Sequence, residues 1–393
     1  MKLLIAIPAL NEEQSIRSTI QRCLEATPAI LDNSPVTGVE VTVISDGSTD
    51  RTVERAREFG SLINLIEFTR NQGYGAAIMG AWSGSQADLL GFLDADGTCD
   101  PNFFAELCRN LIEQDADVAL GCRINRNSKM PFVRRLGNMI FAALLSVVSS
   151  KSVRDTASGM RVVRRSSLEQ LYPLPSGLHF TPAMSARAML SDATRIIEVD
   201  MSYAEREGES KLRVIRDGFR FLRVILENAL LYKPGRILGL AGALCVLAEG
   251  LLMLSPVSHY WVARRVEEWM IYRFLVSSLA GQIALLLFGA SIVNSRIAAI
   301  AMSKEVRRSR GLLGDWLRGG WFWPLQVTLL CAGAALVWPS AVELWRTGHT
   351  GAHWSRFVVA MGCFNAGALL CVFWGIDRVL DLVEERVHYW LRK

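Results

Sequence analysis

Beyond Lys233-Pro234-Gly235 the chain turns apolar four times, at about 237–256, 270–293, 322–342 and 357–376. Each run approaches the ~20 residues that a helix needs to cross ~30 Å of hydrocarbon. No other feature restricts the fold so strongly, because it assigns residues 236–393 to a membrane domain of four helices. The composition agrees: with 51% hydrophobic and 21% charged residues and a mean hydropathy of +0.24, the chain is too apolar for a soluble protein and too charged to be membrane throughout.

Basic residues near the ends of the runs give an orientation. The stretch 294–320 carries Arg296, Lys304, Arg307, Arg308, Arg310 and Arg318, and the tail carries Arg378, Arg386, Arg392 and Lys393. Both are expected on the cytoplasmic side, and with four spans the N-terminal domain lies there too. Leu3 to Leu10 is too short for a signal-peptide core and is broken by Pro8. Glu249 falls inside the first run, where a charge costs roughly 2.5–3.5 kcal/mol; the alternatives are that it is protonated, that it snorkels toward the outer face, or that it meets a polar group such as Gln282 or Asn365.

The eight cysteines lack a Cys-x-x-Cys spacing and the five histidines are scattered, so neither a zinc site nor a disulfide framework is expected. The net charge of +5 needs no nucleic acid to explain it, since the basic residues cluster beside the apolar runs.

Residues 1–211 alternate short Ile/Val/Leu-rich runs with helical patterns: Lys2–Pro8, Val39–Ser45, Leu62–Phe68, Leu89–Asp94 and Asp117–Gly121 are the expected strands. Such alternation implies a mostly parallel, Rossmann-like α/β sheet, whose ligands bind beyond the carboxyl ends of the strands. Polar groups follow four of them: Asn11-Glu12-Glu13, Asp46-Gly47-Ser48, Arg70-Asn71-Gln72-Gly73, and Asp94-Ala95-Asp96. The last pair fits Mg2+ or Mn2+, hard cations held by one or two protein carboxylates and completed by substrate phosphates. A dinucleotide oxidoreductase would need Gly-x-Gly-x-x-Gly after the first strand, and it is missing.

These four elements, in this order, resemble the GT-A domain of family 2 glycosyltransferases. Gly121-Cys122-Arg123, Asp155-Thr156-Ala157-Ser158-Gly159-Met160-Arg161 and Arg206-Glu207-Gly208-Glu209-Ser210-Lys211 extend the likeness to the dolichyl-phosphate mannose synthases and their bacterial polyprenyl-phosphate relatives. The resemblance implies that Pro8, Leu10, Glu12, Ile44, Asp46 and the Asp94-Ala95-Asp96 run hold the donor nucleotide. It implies a metal on Asp96 and Asp94 with Thr98 as a further ligand. Arg123, Arg161, Arg206 and Lys211 would grip phosphates, and Asp155, with Asp94, Asp96, Arg161 and Lys211, completes the implied catalytic set. Asp155 is expected to position rather than to act as a base, since a lipid phosphate is already anionic.

Two stretches are amphipathic. Residues 131–150 suit an interfacial helix, and 212–235 form an amphipathic helix and linker in which Arg213, Arg216, Arg220 and Arg223 flank an apolar stripe. The resulting expectation is an inverting, metal-dependent transfer of one sugar from GDP-mannose or a UDP-hexose to a polyprenyl (undecaprenyl or dolichyl) phosphate. The reaction would take place at the cytoplasmic face of a multi-pass cell-membrane protein. The alternatives are a processive polysaccharide synthase, whose Gln-x-x-Arg-Trp string is absent, and a lipid-sugar flippase or transporter with a nucleotide-sugar-sensing domain.

Overall fold

The computed structural model describes residues 1–125, 130–202, 204, 214–301 and 318–391. The chain divides into two compact units, Met1–Tyr232 and Lys233–Lys393.

The first unit is a seven-stranded sheet in the order β3-β2-β1-β4-β6-β5-β7. Its strands are β1 Lys2–Ala9, β2 Gly38–Asp46, β3 Asn64–Phe68, β4 Leu89–Leu93, β5 Val118–Cys122, β6 Met160–Arg164 and β7 Ile196–Asp200. β1 to β4 run parallel, whereas β6 enters antiparallel between β4 and β5. β1 is apolar along its length because helices cover both faces of the sheet. Leu3, Ile5 and Ile7 face a core closed by α1 (Ile16–Asn33) and, after α2 (Thr52–Arg57) and α3 (Tyr74–Gly84), by α4 (Phe103–Glu113). Leu4 and Ala6 face the opposite core, where α3 contributes Ile78 and Trp82.

That second core also takes Phe180 and Met184 of α7 (Phe180–Leu190), which follows α5 (Phe132–Val148) and the short α6 (Leu168–Leu171). β6 and β7 are absent from the five strands expected from the sequence. α8 (Val214–Tyr232) belongs to the first unit: Arg187 Nε of α7 donates to Asn228 Oδ1 at 2.9 Å, and Phe221 meets Phe141 of α5 edge to face.

The second unit contains α9 (Pro234–Ala263), α10 (Ile271–Ala301), α11 (Phe322–Thr347) and α12 (Trp354–Leu391). All four are long and apolar enough to cross a membrane. Small residues bring them close, as in helices packed in lipid: Gly289 lies against the Phe373 ring, and Ser291 Oγ donates to Gly235 O at 2.9 Å. Glu249 lays its carboxylate on Gly281, while Asn365 Nδ2 donates to Gln282 Oε1 at 3.1 Å. The two amides named as partners for Glu249 therefore pair with each other. Arg296, counted above as a loop charge, is buried within α10 and bonds Asp377, Asp381 and Glu384 of α12 at 2.6, 2.8 and 2.9 Å.

Candidate active site

The loops at the carboxyl ends of β1, β2 and β3 are stitched together before any ligand arrives. Asn11 accepts the Thr49 amide on Oδ1, and its own amide donates to Ser48 Oγ. The Glu12 amide donates to Thr52 Oγ1. Asp46 accepts from Gln72 N at 2.6 Å and from Gly73 N at 2.9 Å, which fixes the turn into α3. Gly73 has φ +107°, and a Cβ there would lie 2.4 Å from Ser176 O, so this turn requires glycine.

Asp94 and Asp96 project from the end of β4 into this frame. Tyr74 Oη, at the start of α3, donates to Asp94 Oδ1 at 2.6 Å. Burial and then the Asp94 charge push the Tyr74 phenol well above its ordinary pKa, so it remains a donor at neutral pH. Gly159 approaches from the other side, where a Cβ would come within 2.0 Å of Asp94 Oδ2. Asp96 Oδ1 accepts both the amide and, at 2.7 Å, the hydroxyl of Thr98. Thr98 is buried behind Asp96 and does not line the cleft, so it orients that carboxylate and does not present a ligand of its own. Among the described residues no group of three or more His, Cys, Asp or Glu could hold a metal. Two carboxylates on one turn suit a divalent ion whose remaining ligands come from a substrate.

A second polar cluster lies below Arg123. Asp155 is fully buried; its Oδ2 accepts Arg123 Nε at 2.7 Å and the Arg123 amide at 3.0 Å, and its Oδ1 accepts Arg123 Nη2 at 2.9 Å and Asn138 Nδ2 at 2.6 Å. Burial alone would raise the Asp155 pKa, but the Arg123 charge and these donors hold it below the ordinary carboxylate value. Its oxygens are committed to orienting Arg123.

Arg161 departs from the phosphate-gripping expectation. It sits on β6 opposite Phe92, with no exposed surface, and donates from Nε to Ser158 O and from Nη2 to Thr156 O. Burial lowers its pKa to about 10. It braces the 156–159 turn from below and does not line the cleft. Ile44 likewise departs, being wholly buried in the core beside Ala77 and Ile78. Arg206 and Lys211 lie outside the described residues.

The remaining expected residues converge on one cleft of about 650 Å³. Pro8, Leu10, Glu12, Asp46 and the Asp94-Ala95-Asp96 run line it from the strand ends, together with Arg123, Arg134, Arg216 and Arg220 and the apolar side chains of Met130, Val133, Phe141, Leu178 and Phe221. Tyr74 and Asn138 also line it, although sequence reasoning gave neither a role. A tyrosine next to the Gly73-x-Gly75 turn and a lone amide within an apolar helix were the available signals.

The model of the family described as glycosyl transferase family 2 matches residues 4–172. A low-salt glycan biosynthesis hexosyltransferase of Haloferax volcanii is 34% identical over 252 residues, 62% of this chain and 59% of that protein's length. A dolichyl-phosphate hexose transferase of the same organism is 34% identical over 233 residues, 58% of this chain and 94% of its own length. An undecaprenyl-phosphate 4-deoxy-4-formamido-L-arabinose transferase of Photorhabdus laumondii is 28% identical over 64% of this chain and 74% of its own. Among solved structures, glucosyl-3-phosphoglycerate synthase from Mycobacterium tuberculosis, in complex with Mn2+, UDP and glucosyl-3-phosphoglycerate, is 21% identical with a TM-score of 0.46, covering 58% of this chain and 80% of that one. With the family model over its first strands and a relative matched almost end to end, the chain belongs to glycosyl transferase family 2.

Proposed function

We propose that this chain transfers a single sugar, with inversion, from a nucleoside-diphosphate sugar, GDP-mannose or a UDP-hexose, to a polyprenyl phosphate. The carrying observation is the make-up of the cleft. Its lining combines paired carboxylates at strand ends, four arginines and apolar side chains of α5 and α8. A substrate that matches this set of surfaces has a metal-binding diphosphate, a second anionic group and a hydrocarbon tail. The names of the Haloferax and Photorhabdus relatives support a polyprenyl phosphate as that second substrate.

Asp96 and Asp94 are the residues that would hold Mg2+ or Mn2+, which stabilises charge gathering on a departing nucleoside diphosphate. Asp46 fixes the Gln72-Gly73 turn that borders the nucleotide end, and Tyr74 holds one Asp94 oxygen so that the other keeps a set direction. Arg123, oriented by Asp155, meets the acceptor phosphate. That phosphate attacks the anomeric carbon as the bond to the diphosphate breaks, and being anionic it needs no base. The committed oxygens of Asp155 agree with this. In this reading the chain is a multi-pass cell-membrane protein with its first unit on the cytoplasmic side, which four helices long and apolar enough to cross a membrane support, and the exposed apolar sides of α5 and α8 touch the lipid.

The test is incubation of the purified chain with radiolabelled nucleotide sugars and polyprenyl phosphate, scoring label in the organic phase. Asp96→Asn, which keeps the shape and removes the ligand charge, is expected to lower transfer by ~10²–10³, comparable to the loss of a preorganised transition-state charge partner. Full turnover in excess chelator would remove the metal from the reading, and label in polymer instead of lipid would remove the acceptor.

A further inference from the structure

Helix α5 has two unlike faces, and a single residue joins its buried face to the site. Outward, Phe132 is 75% exposed, Leu136 45% and Ile140 50%. Inward, Asn138 is 6% exposed and its amide bridges two residues: Nδ2 donates to Asp155 Oδ1 at 2.6 Å, while Oδ1 accepts the Thr156 amide at 3.1 Å and the Thr156 hydroxyl at 2.7 Å. These partners fix which way the amide points, because a carboxylate only accepts and a backbone N–H only donates. Asp155 Oδ1 is shared between Asn138 and Arg123 Nη2, so any shift of α5 is felt by the guanidinium that borders the cleft.

We propose that Asn138 is a positioning residue that couples the seating of α5 on an anionic bilayer to the placement of Arg123, so that lipid contact and capture of the acceptor phosphate occur together. The coupling rests on the reading of Arg123 as the group that meets that phosphate. The bilayer is the occupant that the outer face fits: the exposed Arg135 sits beside its apolar residues, which suits anionic headgroups, and the chain enters its long apolar helices two residues after α8 ends. An amide is the side chain this junction requires, since it must donate to a carboxylate and accept from an N–H in one plane.

The experiment uses the full chain in nanodiscs containing anionic lipid. Asn138→Asp places a carboxylate against Asp155 at neutral pH, yet once protonated the introduced group can again donate to Asp155 and accept from Thr156. The expected result at pH 8 is at least a tenfold rise in KM for polyprenyl phosphate with nucleotide affinity within twofold of wild type, and recovery towards wild type near pH 5.5. A loss confined to kcat, a matching loss of nucleotide affinity, or an absence of acid recovery would overturn the coupling. Ile140→Glu, on the outer face, is expected to raise the same KM at least threefold. The double variant should be no worse than Asn138→Asp alone, because residues acting through one route are non-additive; full additivity would overturn the link to lipid. Calorimetry with inorganic phosphate supplies a readout without turnover. If wild type transfers no sugar to polyprenyl phosphate, the proposed function fails; the link from Asn138 to Arg123 then stands on weaker phosphate binding in Asn138→Asp and falls if the two affinities are equal.

Discussion

Arg123 and Arg296 are both guanidiniums removed from water and held by carboxylates, but their surroundings differ in a way that separates a site from a brace. Arg123 is held by Asp155 and borders the cleft. Arg296 has three acids, Asp377, Asp381 and Glu384, and Arg318 shares the first two of these. Arg378 also reaches Asp381 at 3.8 Å, so among the described residues three cations meet three anions in this brace, whereas the Arg123–Asp155 pair borders a cleft that Arg134, Arg216 and Arg220 also line. Burial and pairing alone therefore do not mark function. The cleft beside the pair does.

The largest effect should come from Arg296→Ala. It takes a buried cation away from Asp377, Asp381 and Glu384, and breaking a buried pair costs about 3–5 kcal/mol of stability. Thermal unfolding in detergent should show this, while the folded fraction retains wild-type KM for donor and acceptor. A changed KM would mean that the brace is part of the site.

Arg123→Lys should invert that pattern. An ammonium cannot reproduce the two-pronged contact with Asp155, and losing a charge-assisted hydrogen bond of about 1.5–3 kcal/mol corresponds to roughly ten- to hundredfold slower transfer. Stability should change much less than in Arg296→Ala; equal destabilisation with unaltered kinetics would make Arg123 a second brace.

Tyr74→Phe removes the hydroxyl that holds Asp94 and should weaken Mn2+ binding by up to about tenfold, close to 1.4 kcal/mol, with little change in melting temperature. Metal titration followed by calorimetry decides, and an unchanged affinity shows that Gly159 and the backbone suffice to aim Asp94.

The smallest effect is one of pH. Since the folded pKa of Asp155 lies below its unfolded value, its ionisation contributes stability that is fully present above the ordinary carboxylate range, near 4, and is lost as the pH falls through the depressed value. Melting curves from pH 7 to pH 3 should steepen at the acid end in wild type and less so in Asp155→Asn. Parallel curves would assign the acid sensitivity to other carboxylates.

The parallel half of the sheet was legible in the sequence because each strand, its loop and its helix are neighbours along the chain. Asp46, Asp94 and Asp96 could therefore be placed at strand ends without knowing how distant segments pair. β6 was not legible. Met160–Arg164 is five residues long with an arginine at its second position, and what makes it a strand is its pairing with β4 and β5, remote in sequence. Arg161 was accordingly expected at a surface, yet the two-residue alternation of β6 sends Met160 and Val162 to one core and turns Arg161 to the other side. Asn138 stood in an apolar run as an interruption, and only the fold reveals that the interruption faces Asp155. Thr98 carried the right chemistry and the wrong direction, because its hydroxyl closes back on the acid two residues before it.

Gly159 leaves the cleft almost no tolerance at its metal end. Even a methyl group there would collide with Asp94 Oδ2, at 2.0 Å, so β6 must enter the sheet with a bare backbone opposite that carboxylate. The wall behind the carboxylates is thus a fixed datum, and a change of sugar or base has to be accommodated elsewhere. Leu10 and Thr181 line the same cleft on a loop and on the first turn of α7, away from the metal-holding turn. Redesign of donor preference should begin at those two positions and leave residue 159 alone.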